Sequence, residues 1–166
     1  SIEMKQLVAQ SYTGKTPTYI RLDKNSKLLN PEHQKITLGK PSVVQNGKDG
    51  VIITTGSYLE VALSAVKKLE KKGYRLKLIC LHTLKPVNEN ALLKAIKGQN
   101  TIFTAEEHKL AGGLGSIVGE IMLRHHVNNI IFKSIGVKNT YSPVIGTQNF
   151  LRKHYGVDES AVCREI

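Results

Sequence analysis

From Gly50 onward, short runs of apolar, β-branched residues alternate with stretches whose apolar residues recur every three or four positions. That alternation leaves few architectures open. A strand that is apolar on both faces must be covered on both faces, and amphipathic helices between successive strands are its natural covers. Residues 51–55 read as the first such strand. Leu59, Ala62, Leu63, Val66 and Leu69 then repeat at helical spacing. Ser57 is the predicted N-cap, with Glu60 completing a capping box, and Gly73 is the stop. Residues 75–81 form a second predicted strand, followed by a short helix capped by Asn88 and ended at Gly98. A third strand is expected over 101–105, a helix over 113–126 and a fourth strand over 130–135. Thr147 opens a helix stopped by Gly156, and Asp158 caps a last short one. Right-handed crossovers between such strands follow from strand twist. The expected fold is α/β: three layers, α/β/α, around a mostly parallel and roughly five-stranded sheet.

The pattern changes near residue 48. Upstream, residues 1–14 suit a short amphipathic helix stopped at Gly14, and residues 17–22 alternate like a strand. The next stretch is polar and holds Pro31, Gly39, Pro41 and Gly47. It reads as a linker, with Asn46-Gly47 a turn signal for a small hairpin joining 42–44 to 51–53. The expected division is 1–24, 25–47 as linker, and 48–166 as the main domain.

Charge and cysteine content narrow the function classes. The 166 residues carry 24 Lys and Arg against 13 Asp and Glu, a formal net charge of +11. Such a balance attracts phosphates, acidic partners or nucleic acid. The densest cluster is Lys67, Lys68, Lys71, Lys72, Arg75 and Lys77, at the end of one helix and the start of the next strand, where lysines also complement the helix dipole. RNA-binding aromatic motifs are absent, which counts against nucleic acid. Two cysteines, Cys80 and Cys163, exclude a disulfide scaffold and a cysteine-based zinc module. No apolar run reaches the roughly 18 residues of a membrane span, and the first residues do not resemble a signal peptide. A cytoplasmic chain with no membrane partner is the expectation.

In a parallel sheet ligands favour the carboxyl ends of the strands. Those ends carry His82, then Glu106-Glu107-His108, then Gly136-Val137-Lys138. Two carboxylates and an imidazole at a strand end suit acid–base work, and mutual repulsion would raise the pKa of one carboxyl if the two met. The turn Gly112-Gly113-Leu114-Gly115-Ser116 suits close backbone approach, and its helix N-terminal amides suit an anion. The glycine spacing is not the dinucleotide fingerprint, and the same glycines suit tight packing on a sheet or a subunit. His125 and His126 are adjacent and make a poor metal pair. No metal site is expected. No nucleophile elbow and no phosphate-binding loop is present. The residues alone describe an α/β domain without a self-contained catalytic centre, so no catalytic residue is assigned.

Several segments in order carry a more specific signal: Ile53-Thr54-Thr55-Gly56-Ser57, His82-Thr83-Leu84-Lys85-Pro86-Val87, Thr104 to His108 with Gly112 to Ser116, and Gly136-Val137-Lys138. Together they resemble the C-terminal domain of transketolase-like enzymes, most nearly the split form whose halves are separate polypeptides. The resemblance covers about 48–166. It extends upstream, where 15–22 is similar to the last strand of the preceding pyrimidine-binding domain. It implies a thiamine-diphosphate enzyme that transfers a two-carbon ketol unit between sugars. It places thiamine diphosphate and its divalent metal, Mg, in domains other than this one, with no cofactor in this chain. The implied partner is the N-terminal cofactor-binding part, within a homodimer of the complete enzyme. The chain alone is then expected to be inactive. His82, Glu106, Glu107 and His108 are the candidates for the substrate side or a subunit contact. Asn139-Thr140-Tyr141 departs from the family pattern after Gly136-Val137-Lys138, which leaves the substrate open.

Other readings stay open beside it. They are a stand-alone α/β module that binds a phosphorylated ligand at the glycine turn, a basic interaction domain, and the C-terminal part of a deoxyxylulose-phosphate synthase or a 2-oxoacid dehydrogenase β subunit.

Overall fold

In the computed structural model, which describes residues 2–23 and 35–166, the alternation closes into one five-stranded sheet. The strands are β1 (Ser42–Gln45), β2 (Val51–Thr54), β3 (Lys77–Cys80), β4 (Thr101–Lys109) and β5 (Ile131–Val137), in the order β1-β3-β2-β4-β5. The helices are α1 (Ile2–Tyr12), α2 (Leu59–Glu70), α3 (Glu89–Ile96), α4 (Leu114–Arg124), α5 (Gln148–His154) and α6 (Glu159–Glu165). β2 through β5 are parallel and β1 is an antiparallel edge. Among the described residues no helix is long and apolar enough to cross a membrane.

The strand alternation sorts side chains into two cores, one on each face. Ile52, Leu78, Cys80, Phe103 and Ala105 point to one side and pack against Ala62, Val66 and Leu69 of α2 and Val162 of α6. Val51, Ile53, Ile79 and Ile102 point to the other and pack against Leu92 and Ile96 of α3 and Val118 and Ile121 of α4. The result is the three-layer α/β/α arrangement that doubly apolar strands require.

Three local expectations are corrected. The hairpin between 42–44 and 51–53 does not form: β1 pairs with β3, Val43 opposite Ile79, and the sheet therefore begins at Ser42 rather than near 48. The amides of Lys48 and Asp49 both donate to the Arg75 carbonyl, at 2.9 and 3.0 Å. Gly47 lies so close that a Cβ would sit 2.2 Å from the Leu76 carbonyl carbon. That docking carries the chain past β2's edge to the far side of β3. The capping box at Ser57 is likewise absent. A single 3-10 turn over Gly56–Tyr58 leads into α2, and the Ser57 hydroxyl donates to the carboxylate of Asp23 instead. Residues 17–22 form no strand and are exposed. A lone strand has no ladder to join, so its backbone faces water. Residue 24 and residues 25–34 of the predicted linker lie outside the described residues.

The N-terminal helix docks through two glutamines. The Gln6 side chain accepts from the Ile36 amide at 2.7 Å, and Gln10 accepts from the Leu38 amide and donates to the Ile36 carbonyl, at 2.9 and 2.8 Å. Ile36 is buried beneath it.

Candidate functional site

β4 runs on past its partner. Its pairing with β2 ends at Ala105, whereas it follows β5 to Lys109. Between the pairs Ala105–Ile135 and Lys109–Val137, four steps of β4 span two of β5. Such a bulge re-aims the side chains within it, and those side chains are Glu106, Glu107 and His108. The close approach is possible because Gly136 faces them: a Cβ there would sit 3.0 Å from the His108 carbonyl oxygen.

The two carboxylates go to opposite faces. Glu106 is 2% exposed and turns toward the start of α4, where its two oxygens accept from the amides of Leu114 and Gly115 at 2.8 and 3.0 Å. A carboxylate at a helix N-terminus satisfies orphan donors and complements the macrodipole. The glycine turn is shaped to admit it. A Cβ at Gly113 would fall 2.2 Å from Glu106 Oε2, and one at Gly115 would fall 2.3 Å from Ser134 Oγ. Ser116 closes the turn by accepting from the Gly112 amide and donating to the Leu110 carbonyl. The amides that the sequence offers to an external anion are thus engaged by a carboxylate of the same chain.

Glu107 faces the α2 side. Its Oε2 accepts from Arg152 Nε and Nη2 at 3.0 and 2.6 Å and from Gln148 at 3.1 Å. Arg152 is 7% exposed and lies over the Tyr58 ring, whose hydroxyl donates to the Val157 carbonyl at 2.6 Å. Burial holds the Tyr58 hydroxyl far above the usual phenol range, with the Arg152 charge opposing. Sequence reasoning missed Arg152. It sits 45 residues from Glu107 in the last turn of α5, where a basic residue needs no other explanation than the helix dipole.

His82 and His108 stay apart from this pair. His108 is exposed at the strand end. His82 Nδ1 lies 2.8 Å from Thr83 Oγ1, which itself accepts from the Gly39 amide at 3.1 Å. His82 Nε2 is buried without a hydrogen-bond partner among the described residues. Burial lowers its pKa below the ordinary histidine value, with the Lys40 backbone pulling the other way. The four candidates share the carboxyl end of the sheet, but no hydrogen bond joins any two of them among the described residues. The Glu106–Glu107 repulsion envisaged from sequence has no geometric basis, since one carboxylate caps α4 and the other binds Arg152.

A diphosphate–metal pair does not fit what is present. Among the described residues no three metal-ligating side chains converge. The glycine-rich helix start is filled by Glu106, and at the Gly56–Tyr58 turn Ser57 is bonded to Asp23. Chemically the arrangement orders a surface and supplies no nucleophile beside a base.

Residues 39–162 match the family described as the transketolase C-terminal domain. An apulose-4-phosphate transketolase subunit of Actinobacillus succinogenes is 29% identical, over 96% of this chain and 51% of that protein. A putative transketolase C-terminal section from Methanocaldococcus jannaschii is 28% identical, over 92% of this chain and 48% of its own length. The 1-deoxy-D-xylulose-5-phosphate synthase of Halothermothrix orenii is 27% identical over 96% of this chain, which is 26% of that enzyme. A solved structure described as a split gene transketolase, inactive beta4 tetramer, superposes with a TM-score of 0.73 at 27% identity, covering 84% of this chain and 45% of that one. The chain spans about half the length of the split relatives it matches.

Proposed function

The chain belongs to the transketolase C-terminal domain family, and from that premise we propose that it is the C-terminal section of a transketolase-like transferase, active only when joined to a cofactor-binding part. The observation that carries this reading is the length relation. The chain aligns over nearly its whole extent with about half of proteins named as one subunit of a transketolase or as a transketolase C-terminal section. The cofactor, thiamine diphosphate with a divalent metal, would be held by the N-terminal part. The complete enzyme would be a cytoplasmic homodimer of such pairs. Residues 1–24 would be the end of the preceding pyrimidine-binding domain, and the passage into this one would end before β1.

Within that assembly the chain's residues would organise a contact surface. Glu106 would fix the glycine turn, and Glu107 with Arg152 would fix α5 beside the strand end. His82 and His108 would remain on the side facing substrate or the partner subunit.

The test is reconstitution. Combined with the whole cofactor-binding part of the enzyme, pyrimidine-binding domain included, the chain should form a stoichiometric complex and support ketol transfer between sugars. Alone it should give no turnover and no heat of thiamine-diphosphate binding at micromolar concentration. Tight cofactor binding by the isolated chain would overturn the proposal. A second reading draws on the synthase relative: if the reconstituted enzyme forms 1-deoxy-D-xylulose 5-phosphate and moves no ketol unit, that reading replaces the first.

A further inference from the structure

The positive charge is not evenly placed. Residues 35–100 hold 12 Lys and Arg against 4 Asp and Glu, while residues 101–166 hold 7 against 6. The tertiary structure then gathers much of the excess at one place, the amino ends of the strands. The loop before β2 lies against the entry to β3, through the Lys48 and Asp49 amides on the Arg75 carbonyl. The turn after α3 lies against both: Gln99 donates to the Gly47 carbonyl at 3.3 Å, and Lys77 Nζ donates to the Ala95 carbonyl at 2.9 Å. These bonds bring together Lys48, the Lys71-Lys72 pair that follows α2, Arg75, and Lys94 and Lys97 at the end of α3. All six are exposed. Among the described residues none of them is in an ion pair, whereas Lys68, Arg124, Lys133 and Arg152 elsewhere are. Two carboxylates adjoin this group: Asp49, engaged by the Arg75 amide at 2.7 Å, and Glu70 at the end of α2, whose Oε2 lies 3.5 Å from Gln45 Nε2.

A dipole argument accounts for Lys71 and Lys72 at the end of α2 and for Lys94 and Lys97 at the end of α3. It does not account for Lys48 or Arg75, which lie in loops. Unpaired like charges gathered at one end of a sheet raise the local positive potential, and a bound anion relieves it.

We infer that this basic rim, at the amino end of the sheet, is a docking surface for an acidic polypeptide segment. Lysine supplies five of the six charges. Its ammonium is a freely rotating point charge that accepts scattered carboxylates, whereas phosphate and base recognition favour the arginine fork. Single-stranded nucleic acid also needs several stacking platforms, and Tyr74, 54% exposed, is the exposed aromatic adjoining the rim. The surface lies at the opposite end of the sheet from His82, Glu107 and His108, so an acidic partner seated there leaves the carboxyl end open. The inference goes beyond the catalytic proposal and does not depend on it.

The experiment uses the full chain and fluorescein-labelled 20-residue polyglutamate, read by anisotropy from 50 to 300 mM salt, with oligouridine of equal length in parallel. Polyglutamate should bind in the low-salt buffer and weaken steeply as salt rises. The variant Lys71→Gln/Lys72→Gln/Arg75→Gln should bind about tenfold more weakly. Lys138→Gln/Lys153→Gln/Arg164→Gln removes the same charge elsewhere and should stay within about twofold of the parent. Unchanged thermal melts would show that both variants fold. If the second variant disrupts folding, Lys94→Gln/Lys97→Gln compared with Lys138→Gln/Lys153→Gln makes the same comparison. Equal weakening in both sets would mean net charge alone is read, and the inference fails. It fails equally if polyglutamate does not bind at 50 mM salt, or if oligouridine binds more tightly than the peptide.

Discussion

The two ends of the sheet handle charge in opposite ways. At the carboxyl end acidic groups are engaged inside the chain: Glu106 on the amides that open α4, Glu107 on Arg152, and Asp23 on Ser57. At the amino end Lys48, Lys71, Lys72, Lys94 and Lys97 are exposed, and none is in an ion pair among the described residues, unlike Lys68, Arg124, Lys133 and Arg152. For Glu106 and Arg152, both buried, the difference follows from burial. A charge taken out of water must be bonded, because an unpaired one costs several kcal/mol, while an exposed charge costs almost nothing and can stay unmatched. The carboxyl end therefore uses its charges for rigidity, and the amino end keeps its charges available.

The sharpest way to break this contrast is Glu106→Ala. It strips the acceptor from two buried amides, each worth about 1–3 kcal/mol when left unsatisfied. The expected loss is about 3 kcal/mol, or roughly 6–12 °C in Tm for a domain of this size. A denaturant midpoint shifted by less than about 1 kcal/mol would show that Glu106 is not structural. Glu107→Gln should cost less, about 1–2 kcal/mol, because Glu107 is one-third exposed although Arg152 is not. Combining it with Arg152→Met tests the coupling: the double variant should recover part of the loss, and simple additivity would deny that the pair interacts.

A pH series probes the same end more gently. His82 is held below its ordinary pKa by burial, so the unfolded chain binds the proton more readily than the folded one. Its stabilising effect is complete above the unfolded value, near about 6.5, and is lost as pH falls from there toward the lower folded value. Melting temperatures between pH 7.5 and 5.5 should decline less in His82→Gln than in the parent; identical slopes would show that His82 does not drive the decline. Deleting residues 1–23 removes three glutamine bonds, the Asp23 contact and the cover over Ile36, so the cost should be about 1–2 kcal/mol, or roughly 2–8 °C in Tm. A larger fall would make the arm integral to the sheet.

Much of the fold was legible because its strands are covered on both faces. Val51 to Ile53, Leu78 to Leu81 and Ile102 to Ala105 are fully apolar or nearly so, and the helices between them carry one apolar stripe each. The candidate site was legible only in outline. The strand ends and the glycine turn could be located, but the turn's occupant could not, because Glu106 and the Leu114 and Gly115 amides come within hydrogen-bonding range only when α4 folds back on β4. Glu107 and Arg152 are 45 residues apart, and neither position predicts the other.

Sequence periodicity by itself determined the α/β class and the order of strands and helices from 51 onward, and the ordered motifs carried the resemblance that the family match establishes. Periodicity is a local property, set by which face of each element must leave water. Tertiary structure alone decided that β1 crosses to β3, that Ser57 meets Asp23 rather than capping its own helix, and that Glu106 meets the start of α4 while Glu107 meets Arg152. Each of those outcomes depends on which distant groups arrive within hydrogen-bonding range, and bonds of about 3 Å are formed only once the chain has closed around them.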